Sequence, residues 1–230
     1  MIDGIVFDKD GTLFDFRSSW GGFAGTVLNR LGRDDAHRAA LGAAMGFDPQ
    51  TGQFAPDSLM IAATADEIAA VMLPQLPQMS QDETVDLLNT LSAAALMHPA
   101  VPLRAVLGAL RARGLRIGLA TNDTEAPARS HLDAAGITDL FDFVAGCDTG
   151  FGAKPEPGML LGFARSQGLD PARVAMVGDS RHDLIAARRA GMRAVAVLTG
   201  VADTAELAPH ADVVLADIGA LGAWIDGLTA

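Results

Sequence analysis

The sequence predicts a doubly wound α/β fold, in which helices cover both faces of a parallel sheet. Short aliphatic runs recur along the chain, and buried parallel strands have this pattern. Helical segments that end at glycine separate most of these runs. One long stretch, residues 15–98, has a helical pattern and no convincing strand. We therefore expect an α/β core with an inserted α-helical cap domain.

The predicted strands are mainly aliphatic, with hydrophobic residues on both faces, which indicates burial on both faces. They are residues 2–7, 116–120, 141–145, 173–177, 193–198 and 212–215. One helix is predicted from the i, i+3, i+4, i+7 spacing of Leu103, Val106, Leu107 and Leu110. Further helices over 124–135, 156–167 and 181–190 each end at a glycine. Strand, helix, glycine and strand in succession are typical of the doubly wound sheet.

The helical stretch divides the predicted core in two. Ser80 and Glu83 have the spacing of a capping box, which predicts the start of a helix within it. Its length is sufficient for a small separate domain. We expect a cap over residues 15–98, and a core made of residues 1–14 and 99–230.

Composition restricts the partners and the compartment. The formal net charge is −11, which argues against a nucleic acid or a membrane surface as partner, because both are anionic. A single cysteine forms no internal disulfide, as expected in a reducing compartment. With no signal-peptide pattern at the first residues, we expect a cytoplasmic protein. The oligomeric state stays open.

Polar residues follow the predicted strands at the edge where open parallel sheets bind ligands. Asp8, Asp10, Gly11 and Thr12 follow the first strand, and Thr121 and Asn122 follow the second. Lys154 lies in the loop beyond the third strand, and Asp179 and Asp183 follow the fourth. Several carboxylates, a hydroxyl and a lysine at one edge suit a hard cation and a phosphate.

The chemistry of these groups is that of phosphoryl transfer. Mg²⁺ prefers oxygen ligands, and Asp8 and Asp179 can supply two carboxylates. With charge neutralised, an oxygen of Asp8 can attack phosphorus to form an aspartyl-phosphate. Asp10 can protonate the leaving oxygen and then activate water.

The phosphate would be bound by groups from two loops. Thr121 and Asn122, just ahead of a helix, can hydrogen-bond phosphate oxygens. Lys154 supplies a fixed positive charge for the transferring phosphoryl group.

The ordered set Asp8-x-Asp10-Gly11-Thr12, Thr121, Lys154 and Gly178-Asp179-x-x-x-Asp183 resembles the four motifs of the haloacid dehalogenase superfamily. A helical cap between the first and second motifs is similar to the subfamily that includes phosphoglycolate phosphatases. The resemblance implies that Asp8 is the nucleophile and Asp10 the acid/base. It also implies Mg²⁺ bound by Asp8, the Asp10 backbone carbonyl and Asp179, with Asp183 supporting the metal site.

Lys9 departs from the family pattern, in which this position is often apolar. We expect Lys9 to point to solvent beside the site. Arg17, Trp20, His37 and Arg38 in the cap are candidates for substrate contact, but ordinary surface or packing roles are expected for them.

The leading function is therefore hydrolysis of a small, phosphoglycolate-like phosphomonoester. A sugar phosphomutase of the β-phosphoglucomutase type is an alternative within the family. A phospho-aspartate receiver-like signalling module is an alternative from another class, disfavoured by the cap and Asp10. Dehalogenase chemistry is disfavoured by Asp10. Phosphonoacetaldehyde hydrolysis is disfavoured because no lysine lies between residues 10 and 153.

Overall fold

A six-stranded parallel sheet forms the centre of the computed structural model, which describes residues 1–55 and 57–228. Its strands are β1 (Gly4–Phe7), β4 (Arg116–Ala120), β5 (Phe143–Ala145), β6 (Val174–Gly178), β7 (Arg193–Val197) and β8 (Val213–Leu215). Their order across the sheet is β5-β4-β1-β6-β7-β8. The prediction of a doubly wound α/β sheet is confirmed, and the strand bounds agree with the predicted ones to within about two residues.

Helices cover both faces of this sheet. They are α5 (Leu103–Ala112), α6 (Glu125–Ala134), α7 (Gly158–Gln167), α8 (Arg181–Ala190), α9 (Thr204–Leu207) and α10 (Leu221–Gly227). Gly168 and Gly191 end α7 and α8 in the left-handed conformation, as the glycine pattern predicts. Two hydrophobic clusters, one for each face of the sheet, contain alternating residues of the central strands such as Ile5 and Val6. In the part of the chain that is described, no helix has both the length and the apolar character needed to cross a membrane.

The segment between β1 and α5 is mainly helical. It contains α1 (Phe16–Leu31), α2 (Asp35–Met45), α3 (Ala65–Met72) and α4 (Gln81–Ala93). The capping box of Ser80 and Glu83 begins α4, as predicted. These helices bury a third hydrophobic cluster, which includes Phe16, Leu41 and Met72. We call residues 15–98 the cap; its limits as a domain stay a prediction.

The expectation that the cap lacks strands was wrong. Two strands, β2 (Phe47–Asp48) and β3 (Gln53–Phe54), pair antiparallel across a turn that contains Gly52 at a φ of 68°. Each strand has two residues, which is too short for an alternating pattern to be recognised in the sequence.

Candidate active site

The strand register brings the first three groups of the site together. β1 pairs with β4 on one side and β6 on the other, and Phe7 is the register partner of both Leu119 and Val177. Asp8 is one residue beyond Phe7, while Thr121 and Asp179 lie two residues beyond the partners of Phe7. Because parallel strands end at one edge, these side chains meet there.

Lys154 enters this edge from the loop after β5 and is almost completely buried. Its Nζ donates to Asp8 Oδ1 at 2.5 Å, Asp183 Oδ1 at 2.7 Å and the Ala120 carbonyl at 2.8 Å. These contacts use all three donors of the ammonium. Although burial opposes the charged form, Asp183 and Asp8 raise the pKa of Lys154 above its ordinary value. The lysine is therefore a fixed cation beside the predicted nucleophile.

Three buried carboxylates form a group that fits a divalent cation. Asp8, Asp179 and Asp183 each offer an oxygen, and these oxygens lie within 4.8 Å of one another. Within residues 1–55 and 57–228, Oδ2 of Asp179 is buried without a hydrogen-bond partner. Burial, with Asp8 as a second cause, raises the pKa of Asp179 well above its ordinary value. Mg²⁺ prefers oxygen ligands, and three carboxylates beside one ammonium supply them with negative charge in excess.

Asp183 has a structural role as well as a position beside this group. Its Oδ2 accepts hydrogen bonds from the Ser180 amide at 3.1 Å and from the Ser180 hydroxyl at 2.7 Å. Ser180 is the N-cap of α8. Its Oδ1 accepts from Lys154. The helix cap thus holds Asp183 against the lysine and the other carboxylates.

Asp10 pairs with Lys9 through one carboxylate oxygen, and the residue lines a cavity. Its Oδ2 lies 3.0 Å from Lys9 Nζ. Its Oδ1 has no hydrogen-bond partner among the described residues, and Asp10 lines a cavity together with Asp8 and Trp20. An oxygen in this position is available to accept or donate a proton.

Lys9 does not point to solvent, so the expectation for this residue was wrong. Its side chain is completely buried. Besides Asp10, its Nζ contacts Asp123 Oδ2 at 3.0 Å and His131 Nδ1 at 2.9 Å, and it lies 5.4 Å from the centroid of the Trp20 ring. Although burial opposes the charged form, Asp10 and Asp123 raise the pKa of Lys9. We call Lys9, Asp10, Asp123 and His131 the Lys9 cluster.

The hydrogen bonds of His131 fix its protonation. Its Nε2 lies 2.7 Å from the Ser92 carbonyl, which only accepts, so Nε2 carries the proton. Its Nδ1 then accepts from the Lys9 ammonium, and the imidazole is neutral. Burial, followed by the charge of Lys9, lowers the pKa of His131, in agreement with this assignment.

Asp123 and His131 are site residues that the sequence analysis missed. Ser92 of the cap contacts both, because its hydroxyl also donates to Asp123 Oδ2 at 3.2 Å. The Lys9 cluster therefore links the acid/base to the cap. Asp123 follows directly after Thr121 and Asn122, and this position was its only sequence signal; His131 had none.

Thr121 and Asn122 lie at the cavity, as predicted, but differ in what they can offer. The amide of Asn122 donates to the carbonyls of Ala62 and Lys154 at 2.8 and 2.9 Å, and its Oδ1 accepts from the Lys154 amide at 2.8 Å. These bonds join the Lys154 loop to the cap. Phosphate binding by Asn122 therefore stays a prediction, and its side chain already serves to position Lys154.

The cap forms the roof of the site. Above Asp8 and Asp10 lies a small cavity of about 60 Å³, which we call the inner cavity. Next to it, between cap and core, lies a larger space of about 1140 Å³, which we call the outer cleft. Of the cap candidates, Trp20 lines the inner cavity and Arg17 lines the outer cleft. His37 is packed, with Nε2 at 2.9 Å from the Gln75 carbonyl.

Comparisons with known proteins agree with the fold and identify relatives over nearly the whole chain. A probable phosphatase, IndB, of Dickeya dadantii is 32% identical over 93% of this chain and 88% of its own length. A phosphoglycolate phosphatase of Rhodospirillum rubrum is 32% identical over 98% of this chain and 91% of its own length.

Solved structures share the whole fold at lower identity. A predicted phosphoglycolate phosphatase from Haemophilus somnus has a TM-score of 0.76 at 21% identity, over 97% of this chain and 98% of its own. A β-phosphoglucomutase from Clostridium difficile has a TM-score of 0.69 at 19% identity, over 99% and 96%. The family model described as haloacid dehalogenase-like hydrolase matches residues 5–197. This chain belongs to the haloacid dehalogenase-like hydrolases.

Proposed function

We propose that this enzyme is a magnesium-dependent phosphatase that hydrolyses a compact phosphomonoester through an aspartyl-phosphate on Asp8. One observation carries the proposal: Asp8, bonded to Lys154, lines the same small cavity as Asp10, which has one carboxylate oxygen without a partner among the described residues. Because two relatives are named as phosphatases, an ester of phosphate is the first substrate class to test. The reference compound is 2-phosphoglycolate, which is implied by the name of the Rhodospirillum rubrum protein.

In the first half of the reaction, an oxygen of Asp8 attacks phosphorus and the bond to the leaving oxygen breaks. Asp10, as the carboxylic acid, gives its proton to that oxygen. Lys154 stabilises the charge on the transferring phosphoryl group, and the Thr121 hydroxyl can donate to it.

In the second half, water attacks phosphorus and the bond to Asp8 breaks. Asp10, now a carboxylate, takes the proton from the water, so that both aspartates return to their starting state. A cation bound by Asp8, Asp179 and the Asp10 backbone carbonyl, with Asp183 in support, would reduce the repulsion between Asp8 and the phosphoryl oxygens.

The proposal predicts phosphate release that depends on magnesium. We expect purified protein to release phosphate from a panel of small phosphomonoesters with Mg²⁺, and to lose this activity in EDTA. Restoring Mg²⁺ should restore the rate. Equal rates in EDTA and Mg²⁺ would contradict the metal requirement, and no release from any ester would contradict the phosphatase function.

A second prediction concerns Gly200, which lies against the metal-binding edge. A β-carbon at this position would overlap the carboxylate of Asp179. We expect Gly200→Ala to raise the Mg²⁺ concentration for half-maximal activity by about 10- to 100-fold. Changes to the groups that orient a metal ligand typically weaken metal binding by this factor. The thermal shift produced by Mg²⁺ should weaken in parallel.

Gly25→Ala is the matched control, because a β-carbon there would meet no atom within 4 Å. Gly25 lies in α1 of the cap, where alanine favours the helix by about 0.5–1 kcal/mol. We expect its magnesium dependence to equal that of the wild type. If Gly200→Ala behaved like Gly25→Ala, Asp179 would not be a magnesium ligand.

The family assignment removes the receiver-like alternative, since the chain is an enzyme.

One test separates a mutase from a phosphatase. A mutase needs a bisphosphate activator and transfers the phosphoryl group back to sugar. Sustained phosphate release without an activator would favour the phosphatase. The cytoplasmic location, and the absence of nucleic-acid partners, stay predictions from composition.

A further inference from the structure

The cap side of the inner cavity is apolar. Its large side chains are Trp20, Phe23, Met60, Ile61, Ile68 and Leu88. The polar cap residues that line it are Asn89 and Ser92, and both are uncharged. No arginine or lysine occurs among the cap residues described at this cavity.

The leaving group of the substrate must occupy this cavity. Since Asp8 attacks phosphorus from one side, the leaving oxygen departs from the other, where Asp10 must reach it. Asp10 lines the inner cavity and is not among the residues that line the outer cleft. The group attached to the leaving oxygen therefore lies between Asp10 and the apolar cap residues.

The charges at the inner cavity disfavour an anionic leaving group. Asp8, Asp10 and Asp123 line it from the core, and the two lysines beside them are already paired. Lys154 contacts Asp8 and Asp183, and Lys9 contacts Asp10 and Asp123. The other basic side chain at this cavity, His182, is exposed and also lines the outer cleft. A carboxylate on the leaving group would be buried beside these aspartates without a cation of its own, and burying an unpaired charge is costly. Arg17, which could pair with a carboxylate, lies on the outer cleft.

The uncharged polar groups of the cavity are suited to a hydroxyl or a carbonyl. Asn89 Oδ1 accepts a hydrogen bond from Thr124 at 3.0 Å, so the amide nitrogen is the atom that Asn89 can offer to an acceptor. The Ser92 hydroxyl donates to Asp123 at 3.2 Å and can itself accept. One or two neutral hydrogen bonds in an apolar surrounding are typical of small-molecule sites.

Resting on the proposed phosphatase function, we propose that the substrate is the phosphomonoester of a compact, uncharged and largely apolar alcohol. The cap selects against the phosphoesters of hydroxy acids and against bisphosphates. The selectivity arises from the lining of the inner cavity, while the phosphoryl chemistry at Asp8 is common to all substrates.

A pair of substrates that differ in one group tests this directly. Ethyl phosphate and 2-phosphoglycolate have the same phosphoryl group and chain length, but the second carries a carboxylate in place of a methyl group. We expect kcat/KM to be at least about tenfold higher for ethyl phosphate, since desolvation of the carboxylate is uncompensated. An equal or higher kcat/KM for 2-phosphoglycolate would overturn the inference and leave the phosphatase function intact. No release from these esters or from para-nitrophenyl phosphate would overturn both.

Variants that add a cation at the cavity test the cause. Ile61 lines both spaces and is partly exposed, so an ammonium introduced by Ile61→Lys can stay hydrated. We expect this variant to shift the ratio of kcat/KM values towards 2-phosphoglycolate by about tenfold. Ala63→Lys, at the same border between the spaces, should act in the same direction.

Leu96→Lys is the matched control, because Leu96 is 75% exposed and does not line the inner cavity. We expect the wild-type ratio from this variant. If Ile61→Lys and Ala63→Lys both folded and kept the wild-type ratio, the charge at the inner cavity would not set the selectivity. A shift of equal size in Leu96→Lys would likewise overturn the proposed cause.

Discussion

Replacing Asp8 with asparagine is expected to lower kcat by on the order of 10⁴- to 10⁶-fold, the usual cost of removing a covalent nucleophile. An amide is a poor nucleophile towards phosphorus, and it also carries no charge for a metal ion. The fold should survive, because Lys154 contacts both Asp8 and Asp183 and keeps Asp183 as an ionic partner after the substitution. Phosphate release and circular dichroism on the same preparation measure the two effects.

Asp3→Asn is the matched control for this substitution. Asp3 lies at the other end of β1 from Asp8, where it contacts Arg173 at 2.7 Å on the surface. We expect near wild-type activity, since surface ion pairs contribute little to stability and this one is remote from the site. Phosphate release by Asp8→Asn at the rate of Asp3→Asn would show that the nucleophile is another group.

Asp8→Asn is also expected to change how the stability of the metal-free protein depends on pH. Burial raises the pKa of Asp8 to about 7, whereas an unfolded aspartate titrates near 3.9. Between these values the folded state binds more protons than the unfolded state, so this group makes stability fall as pH rises. Asp8→Asn should make that fall shallower between about pH 4 and pH 7. Urea unfolding in EDTA measures the free energy of unfolding at each pH. Identical pH profiles for the wild type and Asp8→Asn would contradict this prediction.

Replacing Lys9 with methionine is expected to destabilise the protein by about 3–5 kcal/mol, because it breaks a buried ionic group and leaves its partners uncompensated. The ammonium separates the carboxylates of Asp10 and Asp123, both 3.0 Å from it. Without it, these carboxylates repel each other and His131 loses a donor. Since Asp10 would no longer be held in position, kcat should fall as well, within the roughly 10²- to 10⁴-fold range of acid–base catalysis.

Two further proteins separate the electrostatic effect from general damage. The double variant Lys9→Met with Asp123→Asn removes one of the stranded charges, so its free energy of unfolding should recover in part. Arg129→Met removes a surface i,i+4 pair with Glu125 at 2.7 Å and should cost only about 0.2–0.5 kcal/mol. If Lys9→Met lowered the free energy of unfolding by no more than Arg129→Met does, the ion pairs of the Lys9 cluster would not stabilise the fold.

The connection of the Lys9 cluster to the cap has a consequence for the reaction. Ser92 in the cap contacts Asp123 and His131, which both contact Lys9. The acid/base therefore has a contiguous polar link to the element that forms the roof of the inner cavity. Helix α4 therefore carries Ser92, which contacts two members of the Lys9 cluster, and also Leu88 and Asn89, which line the inner cavity.

The sequence by itself determined the sheet and the identity of the groups at its edge. Buried parallel strands are recognisable because each is a short apolar run, and the topology rule then assigns the residues after them to one ligand-binding edge. Asp8, Thr121 and Asp179 could be brought together in this way without knowledge of any side-chain direction. The start of α4 at Ser80 was equally local, since a capping box involves residues three apart.

Only the tertiary structure decided what surrounds these groups. Lys9 contacts Asp123 and His131 across 114 and 122 residues of sequence, and no local pattern encodes such pairs. A lysine in a polar segment is usually exposed, so its burial depends on acceptors supplied by α6 and the loop before it. The apolar roof of the inner cavity was hidden for the same reason, because its residues come from separate cap elements. These side chains lie opposite Asp10 because of how the cap packs on the core. Periodicity within each element does not specify that packing.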